Sequence, residues 1–241
     1  MQSILQVSGL TKKFGGLTAN DDITFEVNRG EIVSIIGPNG AGKTTFFNCL
    51  TGFQRITSGS VIFEGRRIDQ LSAPAIAKLG LVRTFQIVQT FAGMSVAENV
   101  IIGALMHTRN VEAARKRAAD VLAFTGLSSK KDVLGKNLTI ADKKRLEIAR
   151  ALASDPKLLL LDECVAGLNP NEVKEAVELL KRIIGAGITL LIVEHVMEVI
   201  MPISSRVVVL DSGKKIAEGR PQEIAADERV IKAYLGDRYD A

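Results

Sequence analysis

Eight consecutive residues, Gly37-Pro38-Asn39-Gly40-Ala41-Gly42-Lys43-Thr44, follow the pattern G-x-x-x-x-G-K-[ST], with Thr45 directly behind them. These residue types suit phosphate. Glycines let the backbone turn tightly, so that successive N–H groups point inward at phosphate oxygens. The start of the following helix adds its dipole. Lys43 is expected to reach the β- and γ-phosphates, and the Thr44 hydroxyl to ligate Mg²⁺. The context agrees: a buried-strand run, Ile32 to Ile36, precedes the loop, and an apolar helix, Thr44 to Leu50, follows it. The motif specifies a nucleoside triphosphate and leaves the reaction open.

The reaction is narrowed by a second site. Four leucines, Leu158 to Leu161, end in Asp162-Glu163. A buried strand stopping there places both carboxylates at the carboxyl edge of a sheet, beside the phosphate loop. Asp162 suits the Mg²⁺ shell, through water. Glu163 suits a general base or a carboxylate that positions the attacking water. This pairing favours hydrolysis; a kinase would need an acceptor site, and we identify none. His195 follows the strand run Ile188 to Val193 and Glu194, so it too stands at a strand end. Gln86 closes a strand-like run in Arg83-Thr84-Phe85-Gln86.

Several elements must hold these residues. Short β-branched runs alternate with longer helical patterns, which implies an α/β fold with a mainly parallel sheet covered on both faces. One helix is well marked: Val173, Val177, Leu180 and Ile184 fall at helical spacing. Asn169 can cap it, Pro170 fits its first position, Glu172 completes a capping box, and Gly185 is the expected stop. Ile4 to Val7, Ile23 to Val27 and Ser60 to Phe63 read as strands of an antiparallel sheet beside the parallel core. Residues 93–135 carry helical patterns, Ala97 to Met106 and Val111 to Phe124, without buried-strand runs. They read as a helical insertion between core segments 1–92 and 136–241.

The 241 residues are 46% hydrophobic and 24% charged, with 31 Lys plus Arg against 27 Asp plus Glu, a net charge of +4. This composition suits a globular chain and excludes a disordered one. The basic residues are scattered, apart from clusters such as Lys143-Lys144-Arg145, and form no stripe for nucleic acid. Two cysteines, Cys49 and Cys164, make no disulfide framework and read as free thiols of a reducing compartment. The longest apolar runs fall far short of a bilayer span. Met1 to Val7 lacks the basic and apolar regions of a signal peptide, so none is expected.

In order along the chain, these residues resemble the nucleotide-binding subunit of ABC transporters, a P-loop NTPase core with an N-terminal antiparallel β subdomain and an inserted helical subdomain. The likeness implies that Phe14 stacks on adenine and that Gly37 to Thr45 form the Walker A loop. It makes Gln86 the Q-loop glutamine and an Mg²⁺ ligand, Asp162 and Glu163 the Walker B pair, and His195 the switch histidine. Gly167, Leu168 and Asn169 fall in the D-loop. ATP and Mg²⁺ are the implied cofactors. The implied partners are two transmembrane permease subunits, a second ATPase subunit, identical or different, and indirectly an extracellular or periplasmic solute-binding protein. The implied place is peripheral, on the cytoplasmic face of the cell membrane. Arg83-Thr84-Phe85-Gln86, the Gly-Leu-Asn-Pro D-loop and the ending Ile231 to Gly236 look like importer ATPases for branched-chain and other hydrophobic amino acids. Relatives with similar tails serve urea, other organic solutes or lipopolysaccharide export. A soluble ABC-type factor acting on nucleic acid would carry two cassettes or a long coiled-coil insertion, and neither is present. A catalytically dead cassette finds support only in the signature.

That signature departs from the family. Leu-Ser-Gly-Gly-Gln is expected before Arg145 to Arg150, and the chain reads Leu138-Thr139-Ile140-Ala141-Asp142. Thr139 keeps a hydroxyl. Ala141 replaces a glycine where backbone must approach a partner-bound γ-phosphate. Asp142 is expected to face that phosphate and to repel it by roughly 1–4 kcal/mol at close range. The two nucleotide sites of a heterodimer would then be unequal.

Overall fold

The structure is a computed structural model and describes residues 2–85 and 89–235. Gln86 and Gly236 therefore lie outside the described residues. The first sheet comprises β1 (Ser3–Phe14) and β2 (Leu17–Asn28), followed after β3 (Ile32–Ile36) and α1 (Lys43–Leu50) by β4 (Ser58–Phe63) and β5 (Arg66–Arg67). Its order is β2-β1-β4-β5 and all its pairings are antiparallel. The second sheet adds, behind α2 (Ala73–Lys78), the short β6 (Leu81–Arg83). Helices α3 (Val96–Ala104), α4 (Val111–Thr125) and α5 (Ile140–Ala153) then precede β7 (Leu158–Asp162). Beyond them come α6 (Pro170–Gly185), β8 (Thr189–Val193), α7 (Met197–Ile203), β9 (Arg206–Asp211), β10 (Lys214–Gly219), α8 (Pro221–Ala225) and α9 (Glu228–Leu235). The second sheet runs β10-β9-β3-β8-β7-β6, parallel except for the β9–β10 hairpin.

Strand alternation divides the core. In β7, Leu158 and Leu160 join Val33, Ile35 and Phe46 on the face that meets the antiparallel sheet. Leu159 and Leu161 point the other way, into a core shared with α3, α4, α5 and α6. Both faces are covered, which is why the central strands are apolar at nearly every position. The switch point lies where β3 has β8 on one side and β9 on the other, and the phosphate loop leaves the carboxyl end of β3 there.

The boundaries refine the sequence reading. β1 and β2 extend well past their apolar cores, because Lys12 and Lys13 continue the ladder opposite Asn20 and Thr18. The α6 N-terminus has the expected capping box: Asn169 accepts from Asn171 and Glu172 N–H at 3.0 Å, and Glu172 accepts from Asn169 N–H at 2.9 Å. The stop differs. Gly185 is the last helical residue, Ala186 caps by donating to Arg182 at 3.0 Å, and the left-handed turn falls on Gly187. Cys49 and Cys164 are both free and buried, and burial pushes the Cys49 thiol up to about 11. Among the described residues no helix is long and apolar enough to cross a membrane.

Candidate functional site

The phosphate loop is shaped by two close approaches. At Gly42, φ is +93°, and a Cβ would lie 2.4 Å from the Ala19 carbonyl oxygen and 2.6 Å from Asn20 Nδ2. Asn20, fully buried, donates to the Gly42 carbonyl at 3.2 Å and so ties the loop to β2. At Gly37 a Cβ would lie 2.0 Å from the Leu210 carbonyl oxygen, because β9 runs beside the loop's origin. Glycine is therefore required at both positions on geometric grounds. Gly213, in the β9–β10 turn, donates to the Ala41 carbonyl at 3.2 Å and steadies the middle of the loop.

Lys43 begins α1 and folds back along the loop, donating to the Gly37 carbonyl at 2.7 Å and to the Pro38 carbonyl at 3.0 Å. Burial holds its ammonium below the usual lysine range, while Glu163 and Asp162 act in the opposite sense. A cavity of about 550 Å³ brings part of the predicted set together, while Gly37, Asp162 and His195 are not among its lining residues. Phe14 lines it with Asn39, Gly40, Lys43, Thr44 and Glu163. Ala41, Gly42 and Thr45 also border it. Phe14 is 43% exposed, and Lys12 Nζ stands 4.5 Å from its ring centroid.

The strand-end acids have different settings. Asp162 is buried, and burial raises its carboxyl above the usual range against the pull of Arg83. Arg83 Nη2 donates to Asp162 Oδ2 at 3.0 Å, and Asp162 N–H donates to Thr84 Oγ1 at 3.3 Å. Glu163 turns the chain out of the strand with φ +49°, a left-handed conformation that costs about 1–3 kcal/mol for a non-glycine residue. Its backbone is held at both ends. Its N–H donates to the Val193 carbonyl at 2.9 Å, and its carbonyl accepts from Lys144 Nζ at 2.6 Å. The strained turn aims its side chain into the cavity. His195 Nδ1 lies 4.0 Å from Glu163 Oε1, so the two strand ends do meet.

The hard oxygens of the Thr44 hydroxyl and the Asp162 carboxylate suit Mg²⁺. Among the described residues no group of three or more His, Cys, Asp or Glu forms a metal cage.

The signature stands apart from the cavity, at the start of α5. Thr139 caps the helix by accepting from Asp142 N–H at 3.2 Å. Asp142 differs from the sequence expectation of an outward carboxylate. It is only 6% exposed, it accepts from Thr139 Oγ1 at 2.9 Å, and it pairs with Lys130 Nζ at 2.5 Å. Burial would raise its carboxyl, but Lys130 and the Thr139 hydroxyl outweigh it and hold it below the usual range. Its charge is therefore met from within the chain. Ile140, beside it, is 60% exposed. In the D-loop, Leu168 packs against the helical core, and Asn169 is engaged as the α6 cap.

Three supporting residues were not read from the sequence. Glu194 is fully buried and accepts from Val165 N–H at 3.0 Å and His195 N–H at 3.2 Å, joining the two strand ends. Burial raises its carboxyl. Glu147 of α5 accepts from Phe85 N–H at 3.2 Å, one residue before Gln86. Arg83 is the third. An acid directly behind an apolar strand was the available signal for Glu194, the same signal that marked Asp162.

A glycine-shaped loop after a buried strand, a helix behind it and acids on the next strand but one define a P-loop nucleotide-binding protein. The family model for ABC transporters matches residues 20–166, and the model for branched-chain amino acid ATP-binding cassette transporters matches residues 214–240. The chain belongs to the ABC transporter family, as an ATP-binding, ATP-hydrolysing subunit. It is 42% identical to the high-affinity branched-chain amino acid transport ATP-binding protein LivG of Salmonella typhimurium, over 98% of this chain and 99% of that one. A nucleotide-free ATP-binding cassette from an ABC transporter superposes with a TM-score of 0.90 at 32% identity, covering 98% of this chain and 100% of the other. A dimeric bacterial ABC transporter cassette gives a TM-score of 0.80 at 26% identity, over 90% and 98% of the two chains.

Proposed function

We propose that this chain energises the uptake of branched-chain or other hydrophobic amino acids through separate membrane subunits, working peripherally at the cytoplasmic face of the cell membrane. The observation that carries this reading is the 42% identity, over 98% of this chain, to a branched-chain amino acid transport ATP-binding protein, reinforced by the tail match at residues 214–240. The helical insertion, residues 93–135, would face the two membrane subunits, and a solute-binding protein would deliver the solute to them.

The same reading assigns the site its chemistry. Phe14 supplies the face on which adenine stacks. The loop N–H groups and Lys43 receive the phosphates, and Lys43 exchanges the Gly37 and Pro38 carbonyls for phosphate oxygens. Thr44 and Asp162 would hold Mg²⁺, with Gln86 as a further ligand; the ion supplies charge neutralisation on the phosphates. Glu163, fixed by its strained turn, orients and deprotonates the attacking water. His195, positioned by Glu194, meets the γ-phosphate. Positioning and charge stabilisation then supply most of the rate.

A dimer completes the site, and the dimeric cassette of similar fold supports this arrangement. The signature of one subunit, here Thr139 and Ala141 with Asp142 behind them, would close over the nucleotide of the other. Co-purification of the chain with its membrane subunits, followed by an ATPase assay with each candidate solute and its binding protein, tests the proposal. Branched-chain amino acids should stimulate turnover. Stimulation by urea or an organic acid alone would reassign the solute, and failure to associate with any membrane protein would overturn the transport role.

A further inference from the structure

Arg83 lies at the end of β6, three residues before Gln86, and its guanidinium is almost entirely enclosed, with 5% of the side chain exposed. Every side of it is engaged. Nη2 donates to Asp162 Oδ2 at 3.0 Å, Nη1 to Asn48 Oδ1 at 2.6 Å, and Nε to the Thr84 carbonyl at 3.1 Å. The Phe85 ring stands 4.7 Å away, and the Phe47 and Phe53 rings 5.8 Å away. One side chain thus connects α1, the end of β6 and the end of β7. Asn48 lies on the helix that Thr44 helps to start, so one rigid fork bonds Asp162 directly and the helix of Thr44 through Asn48, linking two of the proposed Mg²⁺ ligands.

A buried carboxylate holds a productive orientation only if its surroundings fix it, and groups that bond a metal ligand set the ion's affinity. Asp162 has one oxygen committed to Arg83, which directs the other. An arginine can do this because its planar fork serves two acceptors at fixed angles. We propose that Arg83 is a positioning residue for Mg²⁺: it orients the Asp162 carboxylate toward the nucleotide-bound ion and ties that orientation to α1 through Asn48. This inference rests on the Mg·ATP reading of the site and adds a residue to it.

The test is a Mg²⁺ titration of the 241-residue chain with a fluorescent ATP analogue, alongside binding of the same analogue in chelator. For Arg83→Met, binding without Mg²⁺ should stay within about twofold of the unmodified chain, because the loop and Phe14 are untouched. The Mg²⁺ concentration at half-saturation should rise by roughly 10–100-fold. Asn48→Ala keeps the charge pair and removes the tie to α1, so it should give a smaller rise in the same direction. It also serves if Arg83→Met does not fold. An unchanged Mg²⁺ midpoint in either folded variant would overturn the proposal while leaving nucleotide binding intact. Equal losses with and without Mg²⁺ would also overturn it, because they would make Arg83 a fold element only. If the unmodified chain binds no analogue in either condition, the nucleotide reading itself fails.

Discussion

The phosphate loop and the start of α5 are both polar turns that open a helix, and they treat charge in opposite ways. At the loop, Lys43 is held by two backbone carbonyls, Gly37 and Pro38, which a phosphate can displace without leaving a buried charge behind. At α5, the acidic residue of the first turn, Asp142, is closed into a set with Lys130 and Thr139. The first region keeps its cation available for a ligand. The second cancels an anion that would oppose one. An altered signature therefore need not mean a repelling one, because a lysine twelve residues upstream, in the turn Ser128–Lys130, meets the aspartate's charge. In charge terms, any asymmetry between the two sites of a heterodimer would be smaller than the bare sequence implies. What remains of it is steric, at Ala141.

The comparison can be broken first at the loop, where the largest effect is expected. Gly42→Ala forces a methyl against the Ala19 carbonyl oxygen and demands a left-handed backbone. About 1–3 kcal/mol of strain, concentrated at the phosphate-binding turn, should weaken ATP binding by roughly 5- to 150-fold in an equilibrium titration. Native-like affinity would show that the loop relaxes more easily than its packing implies. A smaller effect sharpens the α5 side. Lys130→Ala removes the cation that pairs with Asp142, at the turn proposed to close over a partner subunit's nucleotide. Lys130 is partly exposed, so its contribution is screened to about 0.5–1 kcal/mol, and turnover of the assembled transporter should fall about two- to fivefold. Adding Asp142→Asn should restore it. Equal rates in all three proteins would show that the pair serves only to cap α5.

Much of this was legible in the sequence because the signals were local. The phosphate loop, the acids behind Leu161, the histidine behind Val193 and the α6 capping box each occupy a few adjacent residues. What stayed hidden depends on partners far apart in the chain. Arg83 and Asp162 are 79 residues apart, and Lys144 reaches the Glu163 carbonyl from α5. Asp142 was misread for the same reason: helix position said where the residue sits, but not that Lys130 turns its carboxylate inward. The strand ends of β1 and β2 were underestimated because a ladder of backbone bonds tolerates polar residues such as Lys13 and Thr18 that hydrophobic patterning leaves out.

The central claim is that Glu163, set by its left-handed turn at the cavity wall, activates water against a nucleotide that the loop binds independently. Glu163→Gln tests it most directly, with ATP binding and turnover measured on the same preparation of the assembled complex. The account predicts ATP affinity within about twofold of the unmodified protein and turnover lower by roughly 10²–10³-fold. Brisk hydrolysis by the Glu163→Gln protein would contradict it.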